Sequence, residues 1–260
     1  MPISLTPFSS GTLCFGNEWH ISNQSILEEI VAKVLLGRVD HAQKILNGLA
    51  IPHSSRNINN AIDDAIEKLT YSNEQQRYHR DGLVFQIFSW VASNKILTSN
   101  SLITDPHLIL AHKGFDGVQI DISLDGNKIE KVRIFEDKAT ENQRKTIQQD
   151  VFPEFKKLNE GHRESELDNC VITLLKNNSS RINDLDAAIE SLIWKDTKRF
   201  KISITIDSSQ SITRLFKDYD TVIPGDIDYR QSEYIIFANL RNWMDAFCEN
   251  VINILRSNYV

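Results

Sequence analysis

His112–Asn142 reads HKGFDGVQIDISLDGNKIEKVRIFEDKATEN, and the alternation inside it decides the fold class. Val118, Ile120, Ile122 and Leu124 alternate with Gln119, Asp121 and Ser123, the period of a strand with one apolar face. Gly117–Leu124 is therefore expected as a strand. Asp125-Gly126 is a tight-hairpin signal, and Asn127–Lys138 is expected as the return strand. A hairpin sets the entrance of its first strand beside the exit of its second, so Asp116 is expected to approach Glu136. Glu136 and Lys138 are two residues apart and share a face, while Asp137 points the other way.

Upstream, helical spacing replaces strand spacing. A helix is expected over Gln24–Leu36, capped by Ser22 or Asn23 and ended by Gly37. A second is expected over Asn57–Leu69. A third, from Glu74 to Ser93, is apolar nearly all round and reads as buried. Downstream, Thr140 opens a helix with Gln143 as a capping-box partner, and Pro153 is expected to bend or break it. Val171–Leu175 and Phe200–Ile206 read as strands; Ile182–Trp194 and Tyr234–Leu255 read as amphipathic helices. The expected class is α/β: a mixed sheet flanked by helices, in a single domain. Its residues 1–99 are expected to be mostly helical, and residues 100–260 to hold the sheet-containing core and C-terminal helices. The apolar stripes of the helices read as core, with a partner interface as the alternative.

Bulk composition narrows the function. No apolar run approaches the ~20 residues that span a bilayer, and the start, MPISLTPFSSGTL, lacks the basic end and apolar stretch of a secretory signal. Three widely spaced cysteines suit a reducing compartment, so a cytoplasmic protein without membrane contact is expected. The net charge of -6 speaks against tight, free-standing nucleic-acid binding, which normally rests on a broad basic surface. Its seven histidines show no paired metal-ligand spacing, and no C-x-x-C occurs. No phosphate-binding glycine loop, dinucleotide fingerprint or G-x-S-x-G elbow is present. Trp19, Trp90, Trp194 and Trp243 are scattered and read as core rather than as a base-stacking platform.

Two carboxylates and a lysine meeting at one point suit phosphodiester hydrolysis. Two carboxylates hold Mg²⁺, which retains several waters; the bound metal polarises a phosphoryl oxygen and acidifies water. The lysine orients that water and offsets developing charge. Glu-x-Lys alone is common: Glu154-Phe155-Lys156 also matches, as does Asp196-Thr197-Lys198 in relaxed form. Only Glu136-Asp137-Lys138 ends an expected strand whose hairpin partner begins with an aspartate. On these residues alone the same hairpin end reads equally as a solvated terminus carrying an ordinary ion pair.

KGFDGVQI, the return strand and then EDKATENQRKTIQQDVFPEF, with RDGLVFQIFSWVAS upstream, resemble the PD-(D/E)xK nuclease superfamily. Within it they resemble most the HamA nuclease subunits of the Hachiman antiphage defence system. The resemblance spans roughly Arg80 to Arg163. The proline that leads the superfamily motif is absent, with Phe115 in its place. What the resemblance implies is a restriction-endonuclease-like core that cleaves DNA with Mg²⁺, or with Mn²⁺ as a substitute, as an endonuclease or nickase working with a HamB-like helicase subunit. Asp116 and Glu136 become metal ligands and Lys138 the catalytic lysine. A further acidic or amide group from the preceding helix would be Glu74, Asp81 or Gln86; Gln86 either faces the site or satisfies a backbone group. Lys113, Gln143, Arg144 and Lys145 are the expected nucleic-acid contacts around the site, with His112 beside them. Two alternatives stay open: a non-catalytic DNA-binding or regulatory subunit with the same fold, and a nuclease acting on RNA.

Overall fold

The computed structural model describes residues 1–51, 59–111 and 114–257. The chain opens with a hairpin, β1 (Ile3–Ser10) and β2 (Cys14–Ile21), paired antiparallel. Pro7 is tolerated because β1 is an edge strand and owes no hydrogen bond on its open side. Gly16 is dictated by β2's inner neighbour: a Cβ there would sit 1.7 Å from the backbone oxygen of Ser232.

Helices α1 (Gln24–Leu35), α2 (Val39–Leu46), α3 (Asn59–Leu69) and α4 (Glu74–Ile96) follow. The Asn23 side chain caps α1 at the Ile26 N–H, and Gly37 takes a left-handed φ of 69° just past its end. The expected start of the next helix at Asn57 lies outside the described residues. In α4 the run from Arg80 to Ser93 is buried except at Gly82, as its all-round apolar character requires.

Next come β3 (Ser101–Ile103), β4 (Gly117–Ile122) and β5 (Ile129–Lys138), an antiparallel meander. The hairpin loop is longer than the tight turn expected. Pairing stops at Ile122↔Ile129, the Gly126 N–H bonds Ser123 O at 2.9 Å, and Leu124 is left 93% exposed. Asp125-Gly126 thus closes a turn inside a six-residue loop rather than forming a two-residue link.

After β5 the chain runs through α5 (Gln143–Thr146), a wide π-turn over Ile147–Val151, and α6 (Phe152–Asn159). The regular helix is interrupted next to Pro153, as expected, but by a change of winding rather than a chain break. The π-turn, closed by the Phe152 N–H on Ile147 O, precedes Pro153, which sits in the first turn of α6. Thr140 and Gln143 touch through Gln143 Nε2 and Thr140 O at 3.3 Å rather than as a capping box.

The strand expected at Val171–Leu175 is instead the end of α7 (Glu164–Asn177). Leu167, Val171, Leu174 and Leu175 are its buried face at helical spacing, and a short apolar run cannot by itself distinguish the two periods. The helix expected over Ile182–Trp194 shrinks to α8 (Leu185–Glu190) and the single turn α9 (Trp194–Thr197). β6 (Lys198–Ile206) follows, then the turns α10 (Ile212–Leu215) and α11 (Tyr219–Val222), β7 (Arg230–Ile236) and α12 (Leu240–Ser257). The helix expected from Tyr234 therefore begins at Leu240, and Tyr234–Ile236 finish a strand.

The sheet order is β1-β2-β7-β6-β5-β4-β3, with β2, β7, β6 and β5 mutually parallel. The fold is thus α/β, a seven-stranded mixed sheet flanked by helices. One apolar core lies between the sheet and α1, α4 and α12; the other lies under α6 and α7. The division expected at residue 100 is corrected by β1 and β2, which lie in the first part yet form one side of the same sheet. Among the described residues no helix is long and apolar enough to cross a membrane, and Cys14, Cys170 and Cys248 are unbridged.

Candidate active site at the end of the β4–β5 hairpin

The C-terminal end of β5 lies where the parallel half of the sheet meets the antiparallel meander, the position at which open α/β sheets leave a crevice. The register Gly117↔Phe135 brings Asp116 level with Glu136. Gly117 is needed there, because a Cβ would stand 2.8 Å from the Phe135 ring. Asp116 Oδ2 accepts the Asp137 N–H at 2.7 Å, and Lys138 Nζ donates to Glu136 Oε2 at 2.8 Å. From α4, Gln86 Nε2 donates to the backbone oxygen of Asp116, so Gln86 both lines the site and satisfies a backbone group.

Electrostatically the three groups behave as one. Burial pushes the Asp116 carboxyl up to about 6, against the pull of Lys138. It pushes Glu136 up to about 7, again opposed by Lys138 and reinforced by Asp116. Burial also opposes the charge on Lys138, but Glu136 and Asp116 together hold its pKa above that of an ordinary lysine. Asp137 turns to the opposite face, as the strand period requires. Burial raises its carboxyl to about 6, while Lys201 and the hydroxyls of Ser203 and Ser89 draw it back down.

Asp116 and Lys138 open onto a cavity of about 450 Å³ between α4, the β5 end and Arg241 of α12. Glu136 is 8% exposed and lies behind Lys138 rather than on the cavity lining. Among the described residues no group of three His, Cys, Asp or Glu side chains converges at metal-binding spacing. The donors present are the Asp116 and Glu136 carboxylates, with the Asp137 carbonyl beside them. All are hard oxygens, and two carboxylates suffice for Mg²⁺, which keeps its waters and completes its shell with substrate phosphate. They do not make a cage for an ion that demands a full set of protein ligands.

The expected surround is rearranged. Lys113 and His112 lie outside the described residues. Gln143 is buried, and Arg144 is engaged with Leu215 O, Lys217 O and the Asp218 carboxylate. Among the described residues of that group, only Lys145 is exposed. Of the helix acids, Glu74 pairs with Arg77 at 3.5 Å, and Asp81 is wholly buried between Arg80 and Arg241. Of the competing motifs, Glu154 of α6 pairs with Arg163 and lies near enough to Glu136 to help raise its pKa, while Lys198 bonds Leu158 O and Glu164. Sequence reading missed Arg241 and Tyr78 on the cavity wall. The available signal was charge inside apolar helices, Arg80-Asp81 in α4 and Arg241 at the start of α12. Neither a family model nor a curated protein matches this chain.

Proposed function

We propose that the chain is a Mg²⁺-dependent phosphodiesterase of the PD-(D/E)xK type, cutting or nicking DNA in antiphage defence together with a helicase subunit. The observation that carries this is the grouping of Glu136 with Lys138 and Asp116, the last two of which line one cavity. Asp116 and Glu136 would hold the ion, which when bound supplies Lewis-acid polarisation and an acidified water. Lys138 then donates to the attacking water and to the oxygens of the phosphorus centre as negative charge builds there. Gln86 and the Asp137 N–H fix Asp116 from two sides, so the ligand geometry is set before substrate arrives.

The net charge of -6 fits a subunit to which a partner delivers DNA, and it implies weak binding of DNA by the isolated chain at physiological salt. A non-catalytic subunit is the second reading. It is favoured by one observation: Glu136 is ion-paired to Lys138 and set back from the cavity lining. Cleavage assays on plasmid, linear DNA and matched RNA, in Mg²⁺ or EDTA and with or without a co-purified partner, separate these readings. Cutting of DNA in Mg²⁺ alone is expected. Cutting restricted to RNA redirects the substrate, and no cutting under any condition gives the second reading the lead.

A further inference from the structure

The cavity that Asp116 and Lys138 open onto has a second wall of different chemistry. Tyr78 on α4 and Arg241 on α12 both line it, and the guanidinium carbon of Arg241 stands 4.6 Å from the centre of the Tyr78 ring. Arg241 is 9% exposed and is anchored from below: its Nη1 donates to Asp81, a fully buried carboxylate that Arg80 grips through Nε at 2.9 Å and Nη2 at 2.6 Å. Its remaining contacts, to Glu141 Oε2 and Ala139 O, are both long at 3.4 Å. Every guanidinium nitrogen thus has a partner: Nη1 is held firmly, and Nε and Nη2 make the two long contacts that a phosphate would have to replace. Tyr78 is 48% exposed and Ile109, also on the lining, is 65% exposed. An aromatic face, an aliphatic side chain and a rigid cation therefore surround a concavity of about 450 Å³, within the range of small-ligand sites.

This combination suits one kind of ligand. Bases in a duplex are covered on both faces by their neighbours, so an aromatic platform in a concave site acts only on a base that has left the stack. A fixed arginine beside it matches the phosphate of the same nucleotide in a bidentate way that a lysine cannot. We propose that Tyr78 and Arg241 form a subsite for an unpaired DNA nucleotide flanking the scissile phosphate, Tyr78 stacking on the base and Arg241 holding the phosphate. This rests on the reading of Asp116, Glu136 and Lys138 as a phosphodiesterase site. The substrate it selects is a single-stranded or locally opened strand rather than an intact duplex.

The test is fluorescence anisotropy on the full chain at low salt in EDTA, with a short labelled single strand and the blunt duplex of the same sequence. The wild type is expected to favour the single strand. Tyr78→Ala should weaken single-strand binding roughly 10-fold, within what one base–aromatic stack contributes, and leave duplex binding unchanged; Tyr78→Phe should bind as wild type. Tyr78 is half exposed, and matched melting temperatures confirm that the variants are folded. Equal affinity for both DNAs, no binding of the single strand, or a Tyr78→Ala protein that binds it like wild type overturns the proposal. Because the assay contains no metal, it is independent of cleavage. Single-strand binding lost in Tyr78→Ala, in a protein that never cuts in Mg²⁺, defeats the phosphodiesterase reading and leaves the subsite standing.

Discussion

Lys138 Nζ lies 2.8 Å from Glu136 Oε2, two residues back on the same face of β5, while Asp116 raises the pKa of both from the neighbouring strand. One cation thus offsets two carboxylates that burial would otherwise neutralise. Without a metal the balance is incomplete, since Asp116 and Glu136 are held up to about 6 and about 7.

Stability should therefore depend on pH with a definite sign. A carboxyl whose folded pKa lies above its unfolded value makes the folded state bind extra protons, and the stability this contributes is lost as pH rises through the folded pKa. For Asp116, Asp137 and Glu136 that window runs from about 4, the unfolded value, to about 7. In EDTA the melting temperature should fall across it. Mg²⁺ should raise the melting temperature more at pH 8 than at pH 5, and Glu136→Gln should flatten both effects. A melting temperature that climbs between those pH values in EDTA would contradict the arrangement.

The other face of the sheet makes a separate demand. Lys201 is 1% exposed and its Nζ bonds Ser93 Oγ at 2.7 Å and Glu233 Oε2 at 3.1 Å; Glu233 in turn accepts from Trp19, Asn17 and Gln231. Breaking such a pair leaves one charge buried and uncompensated. Lys201→Met should cost about 3–5 kcal/mol in urea unfolding, and adding Glu233→Gln should recover a large part. A single variant within about 1 kcal/mol of wild type would show the pair to be dispensable.

Two glycines are steric requirements. Gly16→Ala drives a methyl into the Ser232 backbone and should cost about 3 kcal/mol or more, the upper end of overpacking effects. Gly117→Ala meets only the Phe135 ring, so it should fold. Its shifted Phe135 lies directly before Glu136, and cleavage should drop more than stability does. Equal melting curves for Gly16→Ala and wild type would refute the parallel β2–β7 register.

Lys156 serves as an internal control. It shares the Glu-x-Lys spacing but is an exposed side chain on α6, 4.0 Å from Glu160. Lys156→Ala should cleave DNA at the wild-type rate; a large loss would mean the wrong motif has been assigned.

The hairpin around Asp116 and Glu136 could be read directly because its side chains obey the two-residue period and each end carries a distinct residue. β7 could not. Arg230, Gln231, Ser232 and Glu233 are polar yet buried in a central strand, so its pattern looks like a solvated approach to the following helix. β6 could be read as a strand from Phe200–Ile206, but its burial could not: Lys201, Ser203 and Thr205 alternate with apolar residues as if facing water, yet all three are buried. β1 and β2 carry little local strand signal, because Pro7, Gly11 and Gly16 interrupt the pattern and the partner that makes Gly16 necessary lies more than two hundred residues away. Tyr78 and Arg241 meet only through the packing of α4 on α12, which no local spacing encodes.

The most direct measurement is nicking of supercoiled plasmid in Mg²⁺ by wild type, Glu136→Ala and Lys138→Ala, each shown to be folded and each assayed with its co-purified partner. The account predicts metal-dependent cutting by wild type that both substitutions reduce at least about a hundredfold, the scale on which removing one charge-stabilising group at a reacting centre acts. Cutting that survives in both variants would contradict the assignment of Asp116, Glu136 and Lys138 as the site.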